Sequence, residues 1–345
     1  MPSMTKKDKK FKILLLIAAL SGIYGGFAYG QETSIYNERA VQNLVWEGKL
    51  QRTVEFLSDS LCDGRATGTR GGCEAAFFVT RAFRKAGLLP MDGSYSMSFY
   101  TADSLRCGHN IIGMIPGSRK NPVDSYIIVG AHYDHLGRLG GSLYPGADNN
   151  ASGVAALTTV AEMFSSMKLL GKVYSSSIIF VAFDAKELSM AGSEDLWKRI
   201  EGKRLTDPIS GRPITREKIK LMANIDQIGT SLSPLASGRE DFMIILGGHS
   251  LKKDDHEWLS ICNRFYGTSL ELSGTYYGSE NFTRLFYTLS DQKVFVSHKV
   301  PALLFTSGIT LATNKTYDKP ESLNYPVLRN RILLIFHWIE KMAMY

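Results

Sequence analysis

The chain has 345 residues, of which 44% are apolar and 21% are charged, and its formal net charge is +7. This composition is typical of a globular protein with a large core, and it excludes fibrous and disordered proteins. The first thirty residues contain five lysines and one aspartate, so residues 31–345 carry a net charge of only +3. No basic run and no basic stretch interleaved with aromatic residues follows residue 30, so the charge does not indicate a nucleic-acid partner.

The first thirty residues have the pattern of a secretory signal peptide. A basic head between Lys6 and Lys12 is followed by an apolar run from Ile13 to Ala19 and by a small, polar stretch that ends at Gly30. We therefore predict cleavage after Gly30, export to the periplasm or the cell exterior, and no stable membrane span in the mature protein. The alternative is an uncleaved anchor, for which the apolar run is short and rich in glycine.

The four cysteines are Cys62, Cys73, Cys107 and Cys262, and none has the CxxC spacing of a thiolate zinc site. Cys62 and Cys73 are close enough in sequence to pair in an oxidising compartment, and isolated buried thiols are the alternative.

Apolar periodicity then predicts alternating helices and strands along the chain. Helices are expected at residues 36–58, 71–86, 150–169, 255–266, 279–286 and 326–343, and strands at 110–115, 126–130, 177–183, 218–225, 242–246 and 302–305. Buried strands that alternate with helices predict an α/β fold, in which a mostly parallel, mixed central sheet lies between two layers of helices. Without a repeat or linker, residues 31–345 are expected to form a single domain.

Polar residues cluster where the predicted strands end. His132, Asp134 and His135 follow the strand at 126–130, Asp184, Lys186 and Glu187 follow 177–183, Asp226 follows 218–225, and Asp148 precedes a helix. Ligands of open α/β sheets bind at the carboxyl ends of the strands. Any one of these aspartates alone would be a helix cap or turn residue, but carboxylates grouped with an imidazole predict a zinc site, with Asp134 orienting His132.

Two segments at these strand ends resemble a known family. The segments Ala131–Gly137 (AHYDHLG) and Gly146–Gly153 (GADNNASG) are similar to motifs of the co-catalytic zinc aminopeptidases of peptidase clan MH, which also contains carboxypeptidases and glutaminyl cyclases. Asp63–Arg65, Thr67–Thr69 and Asn110–Gly113 resemble the segments that precede them, and the likeness covers residues 50–325. The resemblance implies the zinc-exopeptidase fold, the removal of amino-terminal residues, and a peptide partner.

Carried over by position, the resemblance assigns His132, Asp148 and Asp226 to one zinc ion. Asp148 would bridge to a second zinc, of which Glu187 is another ligand, and a cis peptide bond would fall at Asp148–Asn149. One zinc is expected from this chain, two follow from the family pattern, and none is the remaining alternative.

Two positions depart from the family pattern. Lys186 stands where the family has its general-base glutamate, and Asn314 stands at the last zinc-binding histidine when positions are counted back from Asn324-Tyr325. A charged lysine has no acceptor lone pair, and the loss of a positioned base removes about 10²–10⁴-fold of rate. Lys186 is expected to lie near the vacated second-metal position and pair with Glu187 or Asp148, or alternatively to point to solvent.

These departures predict a secreted aminopeptidase-family protein with impaired or lost catalysis. One alternative is an active exopeptidase with an altered one-zinc or two-zinc site, a second is a non-enzymatic peptide-binding protein, and a one-zinc cyclase is disfavoured by the missing histidine. Tyr276, Tyr277 and Phe282 are expected to line the specificity pocket, or else to be core aromatics.

Overall fold

The computed structural model describes residues 39–102, 104–118, 125–235 and 237–345. Contacts divide the chain into a unit that ends at Asn43 and a unit that spans Leu44–Tyr345, and the fold and site below belong to the second unit. The predicted signal peptide at residues 1–30 lies outside the described residues. Within the described ranges, no helix combines the length and the apolar character that crossing a membrane requires.

Helices and strands alternate through the second unit. The helices are α1 (Glu47–Ser58), α2 (Arg70–Lys85), α3 (Gly153–Leu169), α4 (Ala191–Glu201), α5 (Lys253–Phe265), α6 (Glu280–Phe286), α7 (Gln292–Ser297) and α8 (Tyr325–Met344). The strands are β1 (Leu89–Pro90), β2 (Ser96–Tyr100), β3 (Cys107–Ile115), β4 (Tyr126–His132), β5 (Gly137–Leu139), β6 (Ser142–Tyr144), β7 (Ser177–Phe183), β8 (Ile219–Ile225), β9 (Phe242–Leu246), β10 (Glu271–Ser273) and β11 (Ala302–Thr306).

One mixed sheet organises the unit. Its strand order is β1-β3-β7-β4-β8-β11-β9-β10, and β2 also pairs with β3, while β5 and β6 form a separate hairpin. The central strands β7, β4, β8 and β11 are mutually parallel, whereas β3 and β9 join this core as antiparallel neighbours. The predicted mixed α/β sheet is therefore confirmed, with its antiparallel pairs at the two flanks.

The central strands form because their residues are apolar and buried on both faces of the sheet. All seven residues of β4 are buried. Tyr126 and Ile128 pack with residues of α4 and α7 in one core cluster. Successive strand side chains point to opposite faces, so the fully buried Ile127 and Val129 face the other layer, where α3 contacts β4. The burial of each such side chain stabilises the folded state by about 1.5–3 kcal/mol.

The sequence predicted the long elements better than the short ones. The six predicted strands are present, while the short strands β1, β2, β5, β6 and β10 and the helices α4 and α7 were missed. The helix predicted at residues 36–58 is interrupted: residues 39–42 are helical, residues 43–46 are not, and α1 begins at Glu47, while residues 36–38 lie outside the described ranges. The helix predicted from residue 150 begins at Gly153, after a turn at Ala147–Ser152 in which Asn149 and Asn150 do not have helical backbone angles. Cys62 and Cys73 are free thiols.

Candidate functional site

Two adjacent parallel strands bring His132 and Asp226 together. His132 ends β4, Asp226 directly follows β8, and the register that pairs Gly130 with Asn224 aligns these two residues. Nε2 of His132 lies 3.2 Å from Oδ1 of Asp226, and both side chains are buried. Two members of the predicted cluster therefore meet at the carboxyl edge of the sheet.

Asp134 holds the other side of this imidazole and two backbone amides. Its Oδ1 lies 3.4 Å from Nδ1 of His132, and its backbone carbonyl oxygen lies 3.1 Å from the same nitrogen. Its carboxylate also accepts hydrogen bonds from the backbone N–H groups of Lys186 and Glu187, each at 3.0 Å. One carboxylate thus ties the loop after β4 to the loop after β7 and fixes where Lys186 and Glu187 stand.

Lys186 lies inside the site. Its side chain is only 13% exposed, and its Nζ lies 3.2 Å from Oε1 of Glu187. Burial disfavours the ammonium, but the charges of Asp226 and Glu187 outweigh burial and raise the pKa of Lys186. Of the two arrangements expected from the sequence, the structure has the ion pair, and the partner is Glu187.

The same charges set the protonation of the His132–Asp226 pair. Burial disfavours the imidazolium, but Asp226 outweighs burial and raises the pKa of His132 to about 10. Burial also opposes the charged form of Asp226, yet Lys186 and His132 hold the pKa of that carboxyl below its ordinary value. At neutral pH the pair is therefore an imidazolium donating to a carboxylate.

Asp148 does not join this cluster, which corrects the sequence prediction. Its carboxylate accepts hydrogen bonds from the backbone N–H of Gly229 at 2.7 Å, from Oγ of Ser152 at 3.0 Å, and from Oγ1 of Thr230. Both carboxylate oxygens are thus committed to a buried local network. Asp148 serves as an anchor between the turn at Ala147–Ser152 and the loop after β8.

Asn149, the next residue, is the one that faces the site. Its Nδ2 donates to Oδ1 of Asn314 at 2.7 Å and lies 3.4 Å from Oε1 of Glu187. The cis peptide bond expected at Asp148–Asn149 is instead at Asn149–Asn150. The motif therefore presents a neutral amide to the site, where the resemblance implied a carboxylate.

Further residues that the sequence analysis did not single out hold this turn in place. Nδ2 of Asn150 donates to the backbone oxygen of Ile225 at 2.9 Å, and its Oδ1 accepts from the backbone N–H of Gln227 at 2.9 Å. The carboxylate of Asp318 accepts from the backbone N–H groups of Asp148 and Asn149, at 2.8 and 3.0 Å. Asp318 is distant in sequence from the turn, so only a three-dimensional arrangement reveals its role.

Arg65 is a second residue with an unforeseen role. It is fully buried, and its guanidinium donates to the backbone oxygens of Tyr133 at 2.8 Å, Pro145 at 2.7 Å and Gly146 at 2.8 Å. The resemblance of the segment around Arg65 to the family was the one signal in the sequence that pointed to this residue. Its contacts join the two motif segments to each other.

A cavity of about 150 Å³ opens beside Lys186. Its walls carry the charged and amide groups of the site together with apolar side chains, namely Asn149, Lys186, Asp226, Asn314, Tyr276, Phe286, Leu289, Leu304 and Ile309. Of the three predicted pocket residues, Tyr276 lines this cavity. Tyr277 instead donates through its hydroxyl to the backbone oxygen of Ser233 at 3.0 Å, and Phe282 is 56% exposed. The cavity has room for one small apolar group.

The fold and these motifs have clear relatives. The model of peptidase family M28 matches residues 110–339. The protein YfbL of Escherichia coli (strain K12) is 24% identical over 264 residues, which are 69% of this chain and 75% of YfbL. The LapA aminopeptidase of Legionella pneumophila has a TM-score of 0.67 at 16% identity over 89% of this chain and 75% of LapA. The zinc aminopeptidase BSAP of Bacillus subtilis has a TM-score of 0.63 at 14% identity over 87% of this chain and 96% of BSAP.

The fold is that of the aminopeptidases LapA and BSAP, and the family match defines an α/β protein of the peptidase class. The chain belongs to peptidase family M28, and the family predicted from its motifs is confirmed.

Zinc is the metal that the family and its zinc aminopeptidase relative suggest. Zinc sites are built from histidine, cysteine and carboxylate ligands, almost always four in structural sites and three in catalytic ones. Within the described ranges, no group of three or more such side chains is placed to hold a metal ion. Asp148 is turned away, Asn149 and Asn314 are amides, and an ammonium lies beside Glu187. The donor set of this chain therefore does not fit the metal that the family suggests.

Proposed function

We propose that this protein is an exported member of peptidase family M28 that binds peptides but has lost most or all of the catalytic power of an aminopeptidase. The observation that carries the proposal is the position of Lys186, whose Nζ pairs with Glu187 at 3.2 Å inside the site. The family implies a peptide as the ligand. The leader pattern at residues 1–30 supports export.

Peptide hydrolysis needs a group that takes a proton from the attacking water and delivers it to the leaving amine. A protonated Lys186 donates hydrogen bonds and accepts none. The neighbouring carboxylates are already engaged, since Asp226 binds His132 and Asp134 binds two backbone amides. Glu187, the third carboxylate, is paired with Lys186 at 3.2 Å. None of these three carboxylates is therefore poised as a base, and we expect a rate deficit of about 10²–10⁴-fold.

Peptide binding does not require that base. The cavity offers apolar walls, including Tyr276, Phe286 and Leu289, to one small apolar side chain. The amides of Asn149 and Asn314 lie at the same cavity and supply hydrogen-bonding groups for a peptide backbone. An apolar pocket with a few polar groups is the usual composition of a specific ligand site.

Turnover of amino-acid amides tests the loss of catalysis. We compare the wild type with Lys186→Glu, Asn149→Asp and Asn314→His, singly and combined, in saturating zinc. The combined variant restores a base and two ligand types, and its turnover should exceed that of the wild type by at least about 10²-fold. Wild-type turnover equal to that of the combined variant would favour the alternative, an active exopeptidase with an altered site.

Calorimetric titration with short peptides that have apolar amino-terminal residues tests binding. Leu289→Trp fills the cavity and should weaken binding at least about tenfold, because one apolar group in a pocket is worth about 1–3 kcal/mol. Leu285→Trp is the matched control, since Leu285 is about as exposed as Leu289 but does not line the cavity. Equal binding by both variants would place the peptide elsewhere.

A further inference from the structure

Three carboxylates of the site lie close to one another and are mostly buried. Asp134 and Asp226 are buried, and the side chain of Glu187 is 17% exposed. Buried carboxylates are costly unless a cation or hydrogen-bond donors compensate them. In a metallopeptidase a divalent ion supplies the compensating charge, so the source of that charge in this chain has to be found among its own residues.

Lys186 supplies a positive charge at this place. Its Nζ lies 3.2 Å from Oε1 of Glu187, and it shares the cavity with Asp226. Its backbone N–H is held by Asp134, so the side chain starts from a fixed position. The ammonium is thus paired with Glu187 by its geometry, and the side chain of Lys186 is only 13% exposed.

Neutral amides fill the positions around the ammonium. Asn149 donates to Asn314 at 2.7 Å and approaches Oε1 of Glu187 at 3.4 Å, the same oxygen that Lys186 contacts. Two donors therefore converge on one oxygen of Glu187. With aspartate and histidine at these two positions, those groups would be acceptors suited to a metal ion, whereas the amides complete a hydrogen-bonded network without one.

We propose that Lys186 is a built-in cation that replaces the divalent ion of the family, so that this site is complete without a metal and excludes one. An ion that entered would have to displace Lys186 from Glu187 and would meet its charge at short range. The inference goes beyond the proposed function, because it concerns what holds the site together and not what the site does to a peptide.

Metal content and thermal unfolding test this proposal on the purified full-length mature protein. Lys186→Met removes the charge and keeps most of the side-chain length, Lys186→Arg keeps the charge, and Lys198→Met on the exposed face of α4 is the matched control. Each protein is incubated with zinc, dialysed and analysed for metal. Each is then heated with EDTA and with excess zinc.

The wild type, Lys186→Arg and Lys198→Met should retain no zinc through dialysis and should unfold at the same temperature with EDTA and with zinc. Lys186→Met should unfold at a lower temperature in EDTA than the wild type, because Glu187 loses its cation. In the combined variant Lys186→Met, Asn149→Asp and Asn314→His, which also regains metal-binding side chains, zinc at about 100 times its dissociation constant should raise the midpoint by about 5 °C. If Lys186→Met does not fold, the metal content of the wild type and of Lys186→Arg still decides the question.

Stoichiometric zinc retained by the wild type would overturn the proposal, as would a Lys186→Met variant that folds and is as stable as the wild type in EDTA. These outcomes are separate from those for activity. A zinc-free wild type that hydrolyses amino-acid amides would contradict the proposed function and leave this inference standing.

Discussion

The two halves of the site differ in how they relate to the family pattern. On the half built from the ends of β4 and β8, His132 and Asp226 retain the expected residue types and contact each other at 3.2 Å. On the half built from the loop after β7, the turn at Ala147–Ser152 and the segment before α8, the positions hold Lys186, Asn149 and Asn314. The comparison indicates that this chain has kept the imidazole–carboxylate pair while an ammonium and amides occupy the rest.

The largest effect is expected where the two halves are joined, at Asp134. Asp134→Ala leaves two backbone N–H groups without their acceptor and removes the carboxylate beside His132 in a buried site, and should lower the free energy of unfolding by about 3–5 kcal/mol. Urea denaturation measures the loss. Asp63→Ala is the control, because it removes an ion pair between the half-exposed Asp63 and Arg138. This change should lower the free energy of unfolding by less than about 1 kcal/mol. Equal losses would show that Asp134 does not join the halves.

A smaller effect is expected from pH on the retained half. The pKa of His132 is raised to about 10 in the folded protein, so the stability from its protonation is complete below the unfolded pKa near 6.5. That stability is lost as pH rises toward 10. The free energy of unfolding falls by up to about 1.4 kcal/mol per pH unit, so the expected loss between pH 7 and 9 is roughly 2 kcal/mol.

Asp226→Asn removes the main charge that raises this pKa. We therefore expect the variant to lose much less stability than the wild type between pH 7 and 9, as measured by urea denaturation at both values. The difference between the two proteins is the informative quantity, because other groups titrate in both. Parallel pH profiles would refute the imidazolium–carboxylate pair.

The smallest effect is expected for the amides of the other half. Asn314→Ala removes the acceptor of Asn149 at an exposed position, and should lower the free energy of unfolding by about 0.5–1 kcal/mol. A double-mutant cycle with Asn149→Ala isolates the contribution of the pair. Asn281→Ala, which affects an exposed hydrogen bond with Arg284, is the control. Strict additivity in the cycle would mean that the two amides do not stabilise each other.

Much of the fold follows from local patterns in the sequence. The central strands are apolar runs buried on both faces, and such runs are recognisable without a structure. The meeting of His132 with Asp226 follows from strand ends that share one edge of a sheet. The short strands and the helices α4 and α7 were not predicted, because a strand of two to five residues or a helix with a weakly apolar face carries little periodic signal.

The remaining details depend on contacts that are distant in sequence. Asp148 and Asn149 are adjacent, and only their partners decide which one faces the site, namely Gly229 for the first and Asn314 for the second. The same holds for the aromatic pocket, where Phe286 lines the cavity and Phe282 lies in solvent, although both belong to α6. One turn of a short helix separates a wall residue from a surface residue.

The contacts of Arg65 have a mechanical consequence for the two motif segments. Its guanidinium clamps the backbone of both motif segments, from Tyr133 to Gly146, so these segments cannot separate without breaking several buried hydrogen bonds at once. The wall of the cavity includes Phe286 of α6, a helix that has no buried residue. We therefore expect slow amide hydrogen exchange in the segments bound by Arg65 and fast exchange in α6. Local opening near the cavity would then occur in α6 and not in the motif segments.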